Sequence, residues 1–137
     1  MKKIILISLM FLLSNSINAQ GISSDEYKKM KAAAECALIA NTIKPGTLSR
    51  EEINKAFNSA LSTFKKDTPL MLGYDYNPSP DQLAIDFAVH YQQMTSDVND
   101  EMFQSVKDQN LPLSPESWFS VAKKFWKNRN CSIVVGL

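Results

Sequence analysis

Glycine is scarce in this chain, with four in 137 residues, and histidine is scarcer, His90 alone. So few glycines leave little material for tight catalytic turns. There is no G-x-S-x-G elbow and no glycine-rich loop of the kind that cradles phosphate. One histidine cannot build a zinc site, which takes three or four Cys, His or carboxylate ligands. The two cysteines, Cys36 and Cys131, stand near opposite ends of the sequence, so no C-x-x-C spacing supports redox chemistry. Internal repeats, low-complexity segments and long linkers are missing as well. No apolar run reaches the ~20 residues that span a bilayer. These residues imply no cofactor, no metal and no transmembrane anchor.

What is present begins with a leader. Lys2 and Lys3 precede an apolar run from Ile4 to Leu13, and SNSINA ends on Ala19. That three-part pattern predicts a secretory signal peptide over 1–19 and an exported domain over 20–137, in the periplasm or outside the cell. Without Lys2 and Lys3, 13 Lys and Arg side chains face 14 Asp and Glu. Such a near-neutral domain has no general pull toward nucleic acid or an anionic membrane. Its length of about 118 residues suits a single core. In an oxidising compartment, two cysteines predict one bridge, Cys36–Cys131.

Helix signals then recur. Ser23-Ser24-Asp25-Glu26 has capping-box spacing before Tyr27, Met30, Ala34, Ala37 and Leu38, and Pro45-Gly46 stops that segment near Ile43. Ser49-Arg50-Glu51-Glu52 opens a second helix with a clean stripe of Ile53, Ala56, Phe57, Ala60, Leu61 and Phe64. Residues 67–79, DTPLMLGYDYNPS, read as a connection broken by Pro69, Gly73 and Pro78. Ser79-Pro80 starts a third segment that runs to about Gln109, and Thr95-Ser96-Asp97 leaves open whether it is one helix or two. Ser114-Pro115 starts a fourth, carrying Trp118, Val121, Ala122 and Phe125. The apolar CSIVVGL end is expected as an extended tail packed on the first helix. The fold class is therefore all-α, a small domain of four or five helices stapled by Cys36–Cys131.

Candidate functional residues are few. A long connection bearing Tyr74 and Tyr76 suits recognition, because tyrosine offers contact area at low entropic cost. If both tyrosines are recognition residues, their joint replacement by alanine should leave the melting temperature nearly unchanged. Asp97, Asp100 and Glu101 form an acidic cluster without the alternating pattern and glycine of a calcium loop. Asp86 stands four residues before His90, within touching distance on a helix. Lys123, Lys124, Lys127 and Arg129 interleave with Phe125 and Trp126, a pattern most simply read as a solvated face over core aromatics.

With no assembled catalytic pattern, the leading expectation is a protein that binds another periplasmic or secreted protein and neutralises or regulates it. An immunity protein against a cell-wall-degrading effector has this layout of leader, small helical domain and disulfide. Tyr74, Tyr76, Asp97, Asp100 and Glu101 are the expected contact residues. Two alternatives stand beside it. One is a periplasmic chaperone binding unfolded clients, and the other is a small hydrolase centred on His90.

Overall fold

Four serines set where the long helices begin. In the computed structural model, which describes residues 21–137, Ser23, Ser49, Ser79 and Ser114 each accept a hydrogen bond from the backbone N–H three residues on, at 3.1–3.3 Å. The leader expected over 1–19 lies outside the described residues. Each cap satisfies one of the donors that a helix start leaves without a partner. They open α1 (Ser24–Thr42), α2 (Arg50–Leu72), α3 (Pro80–Asp108) and α4 (Pro115–Asn128). A last short turn, α5, covers Cys131–Val134. In α1 and α2 the box is reciprocal, since Glu26 and Glu52 accept from the backbone N–H of Ser23 and Ser49 at 2.9 and 2.6 Å. The hydrogen bonds from these serines hold both carboxyls below the usual range.

The ends of α2 and α3 use residues in the left-handed region. Gly73, with φ 73°, closes α2 by donating its N–H to the Pro69 carbonyl. Asn110, with φ 51°, closes α3, and the Leu111 N–H reaches back to the Val106 carbonyl. Both are the turns that stop a helix while satisfying its last carbonyls.

The core is built around α1, which packs against α2, α3, α4 and α5. Its alanines permit that. Ala33, Ala34, Ala37 and Ala40 are buried, and small side chains let neighbouring backbones approach, including the Ala56 and Ala60 stretch of α2. The volume comes from Met30 and Ile39 of α1, Val98, Met102 and Val106 of α3, and Val121 of α4, all fully buried. Each contributes about 1.5–3 kcal/mol relative to exposure.

Two further ties fix the chain's ends. The disulfide Cys36–Cys131 joins α1 to α5 across 95 residues with the Cα atoms 5.4 Å apart. Beside it runs a chain of charges. Arg129 pairs with Glu35 and with Glu101, each at 2.5 Å, and Lys31 pairs with Asp97 at 2.5 Å and lies 4.0 Å from Glu35. Glu35 is only 6% exposed, and burial raises its carboxyl pKa against the opposing pull of Arg129 and Lys31. Such a pair adds little net stability over an apolar one, but losing one partner strands a buried charge.

Two expectations are corrected and one open alternative is decided. The connection expected over 67–79 is shorter, because α2 continues through Pro69 to Leu72. Proline sacrifices one helical hydrogen bond, yet the buried Thr68 hydroxyl donates to the Phe64 carbonyl at 2.6 Å and the helix carries on. Residues 80–108 are one helix, since Met94, Thr95 and Val98 are buried together and the polar stretch stays on it. The C-terminal segment is a helical turn ending on the buried Val135 and is not extended.

A loop this long makes the disulfide the largest single constraint on the unfolded chain. Reducing it should cost about 4 kcal/mol. Urea unfolding of the oxidised and reduced domain, followed by helical circular dichroism, checks this. Coincident midpoints would contradict it.

Candidate functional site

α3 outruns the core. Its buried residues begin at His90, and no residue from Pro80 to Val89 is buried. This overhang is held instead by an aromatic cluster against the end of α2. The Phe64 ring lies 5.6 Å from Phe87, 4.7 Å from His90 and edge-on to Tyr76 at 6.0 Å, while Phe57 and Tyr91 stack obliquely at 5.6 Å. Offset and edge contacts of this kind add roughly 0.5–1.5 kcal/mol each beyond area burial.

Between the end of α2 and the overhang lies a groove of about 420 Å³. Its apolar lining is Phe64, Met71, Leu72 and Val89, and its polar groups are Thr68, Tyr74, Tyr76, Asp86, His90 and Gln93. An apolar cleft with a few convergent polar groups is the usual form of a binding site. A second cleft, about 340 Å³, lies between the α1–α2 connection and α4. Its polar lining, Lys44, Thr47, Glu116, Ser120 and Lys123, is wholly exposed and shows no preorganised group.

His90 is the unusual member of the first groove. It is 8% exposed, and its Nε2 is buried with no hydrogen-bond partner. Burial lowers its pKa, so the imidazole is neutral at pH 7. Asp86 does not serve it. The Asp86 carboxylate accepts from the Tyr76 hydroxyl at 2.8 Å and from Gln82 Nε2 at 2.7 Å. The hydrogen bonds thus form a Gln82–Asp86–Tyr76 network, with His90 beside it.

The structure separates the five expected contact residues into two places. Tyr74 and Tyr76 stand at the corner between α2 and α3, while Asp97 to Glu101 begin 11 residues beyond Asp86 along α3, about 16 Å of helical rise. The two tyrosines also differ. Tyr74 is exposed, whereas Tyr76 is half-buried, and burial followed by its bond to Asp86 pushes its phenol up to about 12. Replacing both by alanine therefore disturbs packing as well as surface. Asp97 and Glu101 are engaged with Lys31 and Arg129, while Asp100 stays exposed with no partner among the described ion pairs. Trp126 is buried, and the Arg129 guanidinium lies over the Phe125 ring at 5.6 Å, so that cation belongs to the ion chain and not to a solvated face.

Sequence reasoning passed over the rest of the groove. Leu70, Met71 and Leu72 read as the part of the connection that lies on the core, yet they are 40–47% exposed, and Val89, off the stripe formed by Ala84, Phe87, Tyr91 and Met94, drew no attention. A charge signal was also available: between Lys66 and Lys107 there is no Lys or Arg, against seven carboxylates.

No protein-family model, curated protein or solved structure matches this chain. Among the described residues, no helix is long and apolar enough to cross a membrane, and no group of three or more His, Cys, Asp or Glu is placed to hold a metal ion.

As the sole histidine, His90 can be titrated directly by its imidazole proton resonance. Burial places the midpoint below 6.5, and a midpoint at or above that value would contradict the buried neutral ring. The unfolded chain then takes the proton first, so stability is full above pH 6.5 and is lost as pH falls toward the folded midpoint. Glu35 has the opposite sign, since its raised carboxyl gains stability as pH falls toward 4.5. The slope lost in His90→Gln therefore isolates the histidine. Separately, Tyr76→Phe should cost about 1 kcal/mol and Tyr74→Phe nearly nothing, by thermal unfolding.

Proposed function

We propose that this chain is an exported binding domain that neutralises or regulates another periplasmic or secreted protein, and that it acts by contact and not by catalysis. One observation carries the reading. Met71, Leu72, Tyr74 and Val89 are each 44–64% exposed and together line one groove at the corner between α2 and α3. Exposed apolar side chains are ordinary when scattered, but grouped together with a groove and polar groups they mark interaction surfaces. Tyrosine and methionine are residues that interfaces favour. An immunity or inhibitor protein needs only this: a rigid presenting scaffold and one apolar anchor surface.

The hydrolase alternative loses support from the geometry, because Asp86 is bonded to Tyr76 and Gln82 while His90 is left without an orienting partner. A general base in a triad is oriented by its third member. The chaperone reading shares the exposed corner and differs in what it binds.

Affinity capture from the native cell envelope and culture fluid, using the oxidised domain, separates these. A dedicated binder recovers one stoichiometric partner that survives moderate salt, whereas a chaperone recovers many proteins in small amounts. Tyr74→Ala with Val89→Ala should weaken the partner at least tenfold, the scale of hot-spot truncation, while unfolding stability moves by less than about 1 kcal/mol. Unchanged binding by that variant would overturn the assignment of this corner.

A further inference from the structure

The overhang is acidic as well as apolar. The seven carboxylates between Lys66 and Lys107 are Asp67, Asp75, Asp81, Asp86, Asp97, Asp100 and Glu101. Asp67 is buried, and Asp97 and Glu101 are neutralised by Lys31 and Arg129. What remains is Asp86 in the lining, Asp75 between the lining residues Tyr74 and Tyr76, and Asp81 in the first turn of α3, five residues before Asp86; no cation lines the groove. Lys65 lines a smaller cleft that shares Tyr76, with Asn77, Pro78 and Leu83. Lys66 is exposed beside it on α2, 3.7 Å from Asp67, and Lys123, Lys124 and Lys127 form an exposed cation group on α4. In a domain near neutrality as a whole, the groove lining thus carries a carboxylate and no cation.

We propose that this groove docks a cationic segment of the partner protein, one that seats an apolar side chain between Met71 and Val89 and sets lysines or arginines against Asp75, Asp81 and Asp86. The inference rests on the partner-binding reading and adds the partner's chemistry to it. Three features converge. The apolar rim supplies area removed from water. The carboxylates supply complementary charge, which steers encounter and rejects acidic partners more than it adds affinity. Asp86 is preorganised for this, because Tyr76 and Gln82 hold its carboxylate in place. Beneath them, His90 packs on Phe64 and keeps a buried Nε2 at the groove with no hydrogen-bond partner. The same carboxylates repel phosphate, which removes nucleic acid and anionic lipid headgroups as occupants.

The test uses the oxidised domain, labelled with nitrogen-15, and three short amidated peptides. The first has one tryptophan between two pairs of lysines, the second replaces the lysines with glutamates, and the third replaces the tryptophan with serine. The first peptide should shift the backbone amides of residues 68–76 and 85–93, more strongly at low salt than at high salt. Asp75→Asn with Asp81→Asn should weaken it about threefold, as expected for two exposed charge contacts. The other two peptides should shift these amides far less. Equal shifts from the glutamate peptide, shifts confined to other helices, or none at millimolar peptide would overturn the proposal. Sedimentation of the domain alone supplies a control, since self-association through this corner and the α4 lysines would assign the groove to a second copy. The two readings also fail separately. A captured partner sensitive to Tyr74→Ala but not to the aspartate changes leaves the binding function standing and removes the cationic segment. Peptide binding without any partner sensitive to Tyr74→Ala does the reverse.

Discussion

Everything in this molecule is arranged around the burial of one helix. α1 is short and alanine-rich and is covered by the other four, so the remaining helices must converge on it. The Cys36–Cys131 bridge fixes that arrangement at the far end of the chain, and the Glu35–Arg129 pair lies on the same side as a polar complement. Because α1 spans only 19 residues and α3 spans 29, part of α3 has no core to cover. The overhang is a consequence of that mismatch, and the groove exists because the end of α2 runs out beneath it.

The groove then inherits its character from residues released from core duty. Further along α3, Val98, Met102 and Val106 point inward. On the overhang, Phe87 is only half-buried, and Ile85 and Val89 meet solvent. Leaving such side chains in water forfeits roughly 25 cal/mol for each Å² that a core would have buried. A partner that covers them recovers that free energy. Acidic residues around the same corner keep the exposed surface soluble and restrict what can cover it, which ties solubility and selectivity to one feature.

Much of the fold was legible. The four serine starts, the α2 stripe and the disulfide followed from capping chemistry, periodicity and cysteine count, and the structure shows each. The failures have local causes. Pro69 reads as a breaker, but Thr68 supports the turn before it, and a side chain bonding to its own backbone four residues back leaves no mark in the apolar pattern. Polar Thr95 reads as a possible break, yet its hydroxyl donates to the Tyr91 carbonyl and is buried within the helix. The site was harder. Tyr74 was recognisable as a candidate, but Tyr76, two residues on, faces Phe64 and Asp86, and that difference depends on where α3 crosses α2. Glu35 and Arg129 are 94 residues apart, and nothing near either names the other, so the roles of Asp97 and Glu101 were hidden until both were placed.

The claim at the centre of this account is that the corner between α2 and α3 is where the protein meets its partner. Hydrogen exchange of the domain, alone and in complex with the captured partner, reads it directly. The account predicts slowed exchange in the last turn of α2, through the Gly73–Ser79 connection and in the first half of α3, with α4 unchanged. Protection centred on the lysines of α4 or the turn of α5, with the corner exchanging as before, would contradict it.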